Sequence, residues 1–87
     1  MTSCVVANAD TVIQYGKIAK YVAGQIQVQF SKPFASPPTV VVTPYWESQT
    51  NAVGYIETVT NVTTESFTVS SSNHASNYYV NWIAIGQ

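Results

Sequence analysis

The stretch GQIQVQFSKPFASPPTVVVTPYW, residues 24–46, holds two kinds of strand separated by proline. In its first part Ile26, Val28 and Phe30 alternate with Gln25, Gln27 and Gln29. That is the period of a strand with one dry and one wet face. Pro33, Pro37 and Pro38 follow, each with its φ fixed and no N–H to donate. They forbid ladder pairing up to a set residue, so pairing is expected to begin at Thr39 in a single register. Beyond them Val40, Val41 and Val42 are apolar on both faces, which reads as a buried central strand.

Within this stretch the second strand is expected over Thr39–Thr43, and outward from it further strands over Thr11–Ile18, Val53–Thr60, Ser66–Ser70 and Tyr78–Ile85. Turn chemistry separates the strands at Ser36-Pro37-Pro38, Ser48–Asn51, Asn61–Glu65 and Ser70–Asn77. No segment carries a helical i, i+3, i+4 stripe of useful length. Six short strands at nearly regular spacing imply an all-β fold, an antiparallel sandwich or small barrel. The last strand is two-faced: Tyr78, Val80, Trp82 and Ala84 lie on one side, Tyr79, Ile83 and Ile85 on the other. A six-stranded sandwich has one interior, so the second apolar face must be covered by a partner subunit or by loops.

At 87 residues the chain is read as one domain, 1–87, with residues 1–9 as a peripheral N-terminal segment. Chains of this size bury only about 60–65% of their unfolded surface. Cys4 is the single cysteine, so no internal disulfide supplements the core; it is read as a free thiol or as a bridge between chains. No metal-ligand cluster is apparent, and no cofactor is expected. Oligomerisation is the remaining staple.

Charge is scarce. Lys17, Lys20 and Lys32 stand against Asp10, Glu47, Glu57 and Glu65, with no arginine. Three scattered lysines cannot supply the basic stripe that nucleic acid requires, nor a polybasic membrane patch. Nothing approaches the roughly 20 apolar residues of a membrane span, and CVVA is too brief for a signal-peptide core. An extracellular location is expected, with a cytoplasmic one left open. Asn61-Val62-Thr63 matches the glycosylation acceptor pattern, a triplet frequent by chance. A surface built from Thr, Ser, Asn and Gln suits neutral, hydrogen-bonding ligands.

Three pieces of the chain resemble the H-type lectin domain family. They are Gln14-Tyr15-Gly16-Lys17-Ile18, the run from Val28 to Val42 with its F-x-K-P-F-x-x-P-P-x-V-x-V pattern, and Val80-Asn81-Trp82-Ile83-Ala84-Ile85-Gly86. Ser66-Phe67-Thr68-Val69 also sits where the family has a G-F-x-V strand. The resemblance implies a six-stranded antiparallel β-sandwich that assembles as a trimer, or as a hexamer of two trimers. It implies sugar sites in clefts between protomers and galactose or N-acetylgalactosamine as the ligand.

Carried over residue by residue, His74 falls on the family's histidine. Asn73 stands where the family has tryptophan, Gly54 where it has arginine, and Ala19–Gly24 contains no aspartate. Tyr78 lies near the position of a family tyrosine. Trp46 is read either as a replacement aromatic platform or as packing in the core or subunit seam, and Trp82 as structural. Tyr21 and Lys20 occupy the loop that would supply the aspartate, and either line the cleft from the adjacent protomer or cap a strand. The candidate carbohydrate contacts are therefore His74, Asn73, Trp46, Tyr78 and Tyr21, with Ser76 and Asn77 placed by position only.

Catalysis has no support. Cys4 with His74, or Glu47, Glu57 and Glu65 as a glycosidase pair, lack any local pattern that such chemistry needs. The chain is expected to be a multivalent, agglutinating lectin whose partners are glycans and further copies of itself, in the manner of cell adhesion proteins. A non-catalytic, fibre-tip-like interaction trimer with a degenerate sugar site is the alternative.

Overall fold

A computed structural model describes residues 11–48 and 54–87. The described residues form six antiparallel strands and no helix: β1 (Val12–Ala19), β2 (Gly24–Gln29), β3 (Thr39–Trp46), β4 (Thr58–Thr60), β5 (Ser66–Ser71) and β6 (Tyr78–Gly86). They make two three-stranded sheets, ordered β1-β6-β3 and β2-β5-β4. The segment 1–9, with Cys4, lies outside the described residues, as do Val53 and most of the Ser48–Asn51 turn.

The alternation in β2 reads out as written. Val28 and Phe30 are buried while Gln25, Gln27 and Gln29 are exposed. Pairing of β3 begins at Thr39, opposite Ile85, directly after Pro38. The expectation of a central β3 is corrected: β6 is the central strand of its sheet, and β3 is an edge. Pro44 gives the physical reason, since a residue without an N–H is tolerated within a strand only where no ladder bond is asked of it. The strand expected over Thr39–Thr43 runs on to Trp46, because its ladder with β6 continues to Tyr78, and the expected Val53–Thr60 strand is shorter, pairing only from Thr58 to Thr60. At the Asn61–Glu65 turn Asn61 takes a φ of 53°, a left-handed conformation that asparagine tolerates better than most residues.

The core lies between the sheets. Val28, Phe30, Phe67 and Val69 from one side meet Val80, Ala84 and Tyr78 from the other, with Phe34 from the β2–β3 connection. Trp82 ties the layers together, with ring centroids 5.2 Å from Phe67 and 5.9 Å from Phe30. Its partner across the ladder is Gly16. A side chain there would collide with the indole, so glycine makes the space for the tryptophan.

The outer face of the β1-β6-β3 sheet is the second apolar face. Successive cross-strand rows hold Ile13–Ile85–Thr39, Tyr15–Ile83–Val41, Lys17–Asn81–Thr43 and Ala19–Tyr79–Tyr45. Tyr15 is 78% exposed and Val41 57%. Lys17 Nζ lies 5.2 Å from the centre of the Tyr45 ring and 4.9 Å from that of Tyr79, a favourable cation–π geometry. No loop among the described residues covers Tyr15 or Val41.

Candidate functional site

One end of the sandwich gathers the β1–β2 loop, the end of β3, the 54–57 segment and the β5–β6 loop. Lys20 stitches the first of these to the last. Its backbone N–H donates to Tyr78 O (2.9 Å), and its carbonyl accepts from Ala75 N (3.2 Å). Its Nζ, wholly buried, donates to Asn73 O (2.7 Å), Ser71 O (2.9 Å) and Val22 O (3.3 Å). A buried ammonium needs such partners, because its desolvation would otherwise be prohibitive. The end of β3 joins through Glu47 N, which donates to Asn77 O at 3.0 Å, and Asn77 Nδ2, which donates to Ser48 Oγ at 2.7 Å.

Beneath these loops lies a buried acid. Glu57 Oε2 accepts from Ser71 Oγ (2.7 Å), Asn73 Nδ2 (2.9 Å) and the Tyr78 hydroxyl. Burial first, then the hydrogen bond and charge of Glu57, push the Tyr78 phenol well above its ordinary range. Among the described residues, two buried side-chain polar atoms, Glu57 Oε1 and Trp46 Nε1, lack a hydrogen-bond partner. Both residues adjoin Tyr78, since the Trp46 ring lies 4.7 Å from it, centre to centre.

The five candidate residues all fall at this end, in two tiers. His74 and Tyr21 are exposed. His74 Nδ1 is 3.1 Å from Ser72 O, a hydrogen bond when the proton sits on Nδ1, which leaves Nε2 as an acceptor. Asn73 and Tyr78 lie below. Asn73 spends its amide internally: Nδ2 donates to Tyr55 O (2.7 Å) as well as to Glu57, and Oδ1 accepts from Tyr55 N (3.2 Å). Tyr78 is completely buried and presents no atom to the exterior. Trp46 is half-buried and packed on Tyr78.

Sequence reasoning missed Glu57, Lys20 and Ser71 as the frame of this end. Lone charged residues far apart in the chain give no local signal of being brought together. It also missed a cavity of about 300 Å³ lined by Val42, Pro44, Gly54, Tyr55, Ile56 and Glu57. On the outer sheet face Tyr79 donates to Glu47 Oε1 (3.3 Å), and the neighbouring Glu47 charge raises the Tyr79 phenol.

No curated protein and no solved structure matches this chain. The family model of the H-type lectin domain matches residues 25–85. The matched span runs from β2 to the end of β6, so it takes in the proline-rich connection, the Glu57 cluster and His74, while the Gln14–Ile18 piece precedes it. With well over half of its length matched, and six antiparallel strands in two sheets, the chain belongs to the H-type lectin domain family, whose domains bind carbohydrate and are not enzymes.

Proposed function

We propose that this chain is a multivalent lectin for galactose- or N-acetylgalactosamine-type glycans, presented outside the cell, with a site at the His74 end of a single-domain sandwich. The observation that carries the reading is the exposed His74 imidazole, which the sequence resemblance sets against a family histidine, on a loop held by Lys20 from below. An imidazole can exchange hydrogen bonds with sugar hydroxyls on either nitrogen. Tyr21, on the loop stitched to the same segment, is placed to serve the same ligand or that of an adjacent protomer.

Self-assembly belongs to this reading. The outer face of the β1-β6-β3 sheet offers Ile13, Tyr15, Val41, Ile83 and Ile85 side by side. Further copies of the chain, arranged as a trimer or as two trimers, are the occupant we assign to it. Assembly multiplies weak single-site affinity into avidity on a glycan surface.

An interaction trimer with a degenerate sugar site is favoured by one observation. Asn73, at the tryptophan position, turns its amide inward, and Gly54, at the arginine position, offers no side chain. Retention on beads substituted with galactose and with N-acetylgalactosamine separates the two readings. A lectin is retained and released by free sugar; a protein that passes through, or elutes only with salt, is the degenerate trimer.

A further inference from the structure

The His74 end lacks an aromatic surface at the family's tryptophan position, and Trp46 is packed on Tyr78. A different ring is available. Tyr55 is 63% exposed and lines the cavity of about 300 Å³ between β3 and the 54–57 segment. This volume is at the small end for ligand sites, on the scale of a single monosaccharide.

An exposed loop tyrosine would ordinarily lose freedom on binding, and with it affinity. Here its backbone is already fixed. Asn73 brackets the Tyr55 peptide units, accepting from the N–H through Oδ1 (3.2 Å) and donating to the carbonyl through Nδ2 (2.7 Å). Asn73 is itself pinned on three further sides. Its Nδ2 also reaches Glu57 Oε2, its N–H donates to Ser71 Oγ at 3.1 Å, and its carbonyl accepts from Lys20 Nζ.

We propose that Tyr55 is the platform on which the C–H face of a neutral pyranose lies, at the mouth of this cavity, and that Asn73 is a positioning residue for it. The inference rests on the carbohydrate-binding reading above and names the residue that reading lacks. Val42, Pro44 and Ile56 give the cavity apolar walls suited to the C–H face of a sugar ring. Among the described residues that line the cavity the charged one is Glu57, so an acidic sugar meets a like charge and is disfavoured. The ligand class is therefore a neutral pyranoside, not a sialic or uronic acid.

Titration calorimetry on the intact protein tests this, with methyl galactoside, N-acetylgalactosamine and sialic acid as probes and thermal unfolding as the control for folding. Tyr55→Ala weakens the bound neutral sugar by about tenfold while the melting temperature holds, because removing a stacked ring forfeits its contact and little else. Tyr55→Phe keeps affinity within about threefold, since the hydroxyl is not needed for stacking. Asn73→Ala weakens binding as well as stability. Wild-type affinity in Tyr55→Ala overturns the platform and leaves sugar binding elsewhere on the chain. Preference for sialic acid overturns the ligand class. Failure of the wild type to bind any of these sugars overturns both this inference and the reading beneath it.

Discussion

Lys20 and Glu57, the buried charged side chains of the described residues, are joined at one remove through Ser71 and Asn73. Lys20 Nζ bonds the carbonyls of both bridging residues, and Glu57 Oε2 bonds their side chains. The cationic and anionic ends therefore hold the same short segment from two sides, immediately before His74. Removing either charge leaves the other buried with its bridge intact and its counterpart gone.

Lys20→Met is expected to cost about 3 kcal/mol, and Glu57→Gln somewhat less because the amide keeps one acceptor oxygen. The double substitution should cost less than the two added together, by about 1 kcal/mol. Urea unfolding of the four proteins measures this cycle. Strict additivity would show that the bridge carries no coupling.

Tyr78 supplies a pH signature. Its folded-state pKa is raised, so the folded protein holds the phenol proton more tightly than the unfolded chain. That contribution is intact below the unfolded value of about 10 and declines as pH rises above it toward the folded value. Tyr78→Phe should lower stability near pH 7 by about 1–2 kcal/mol, through the lost bond to Glu57. It should also flatten the fall in melting temperature above pH 10, and parallel profiles for the two proteins would contradict the assignment.

Glycine positions separate packing from freedom. A Cβ on Gly16 would lie 2.9 Å from Trp82 Nε1 and 3.1 Å from Cε2 and Cζ2, whereas one on Gly54 meets nothing within 4 Å. Because Trp82 is wedged against Phe30 and Phe67, Gly16→Ala should cost about 1–3 kcal/mol. Gly54→Ala should stay within about 0.5 kcal/mol of wild type. Equal melting temperatures for the two variants would count against the packing assigned to Trp82.

The outer sheet face makes a separate demand. Val41 and Ile83 are ladder partners at its centre. Val41→Asp or Ile83→Asp should convert the proposed wild-type assembly to monomer in sedimentation velocity, leaving the interior of the sandwich untouched. A wild type already monomeric at micromolar concentration would remove the proposed assembly.

Particular residues show what the sequence could and could not reveal. The Gln-Ile-Gln-Val-Gln alternation and the proline stop before Thr39 are local signals, and both appear in the structure. The place of β3 was hidden, because Val40, Val41 and Val42 look the same whether their outer face is covered by a neighbouring layer or left exposed on an edge strand. The late start of β4 was hidden too, because Tyr55 is fixed by the distant Asn73 amide and not by a ladder. At the candidate site, His74 was singled out by its polar loop, and it stands exposed there. The frame of Lys20 and Glu57 and the bracket on Tyr55 gave no such signal, since they form only when separate segments meet.

The most direct measurement of the central claim is binding of the intact protein, at high density, to an array of immobilised glycans, with His74→Ala alongside. The account predicts reproducible capture by galactose- or N-acetylgalactosamine-terminated glycans and at least a tenfold weaker signal for His74→Ala, consistent with loss of a hydrogen-bonding group worth about 1.5 kcal/mol. Capture of no glycan at any protein concentration would contradict it.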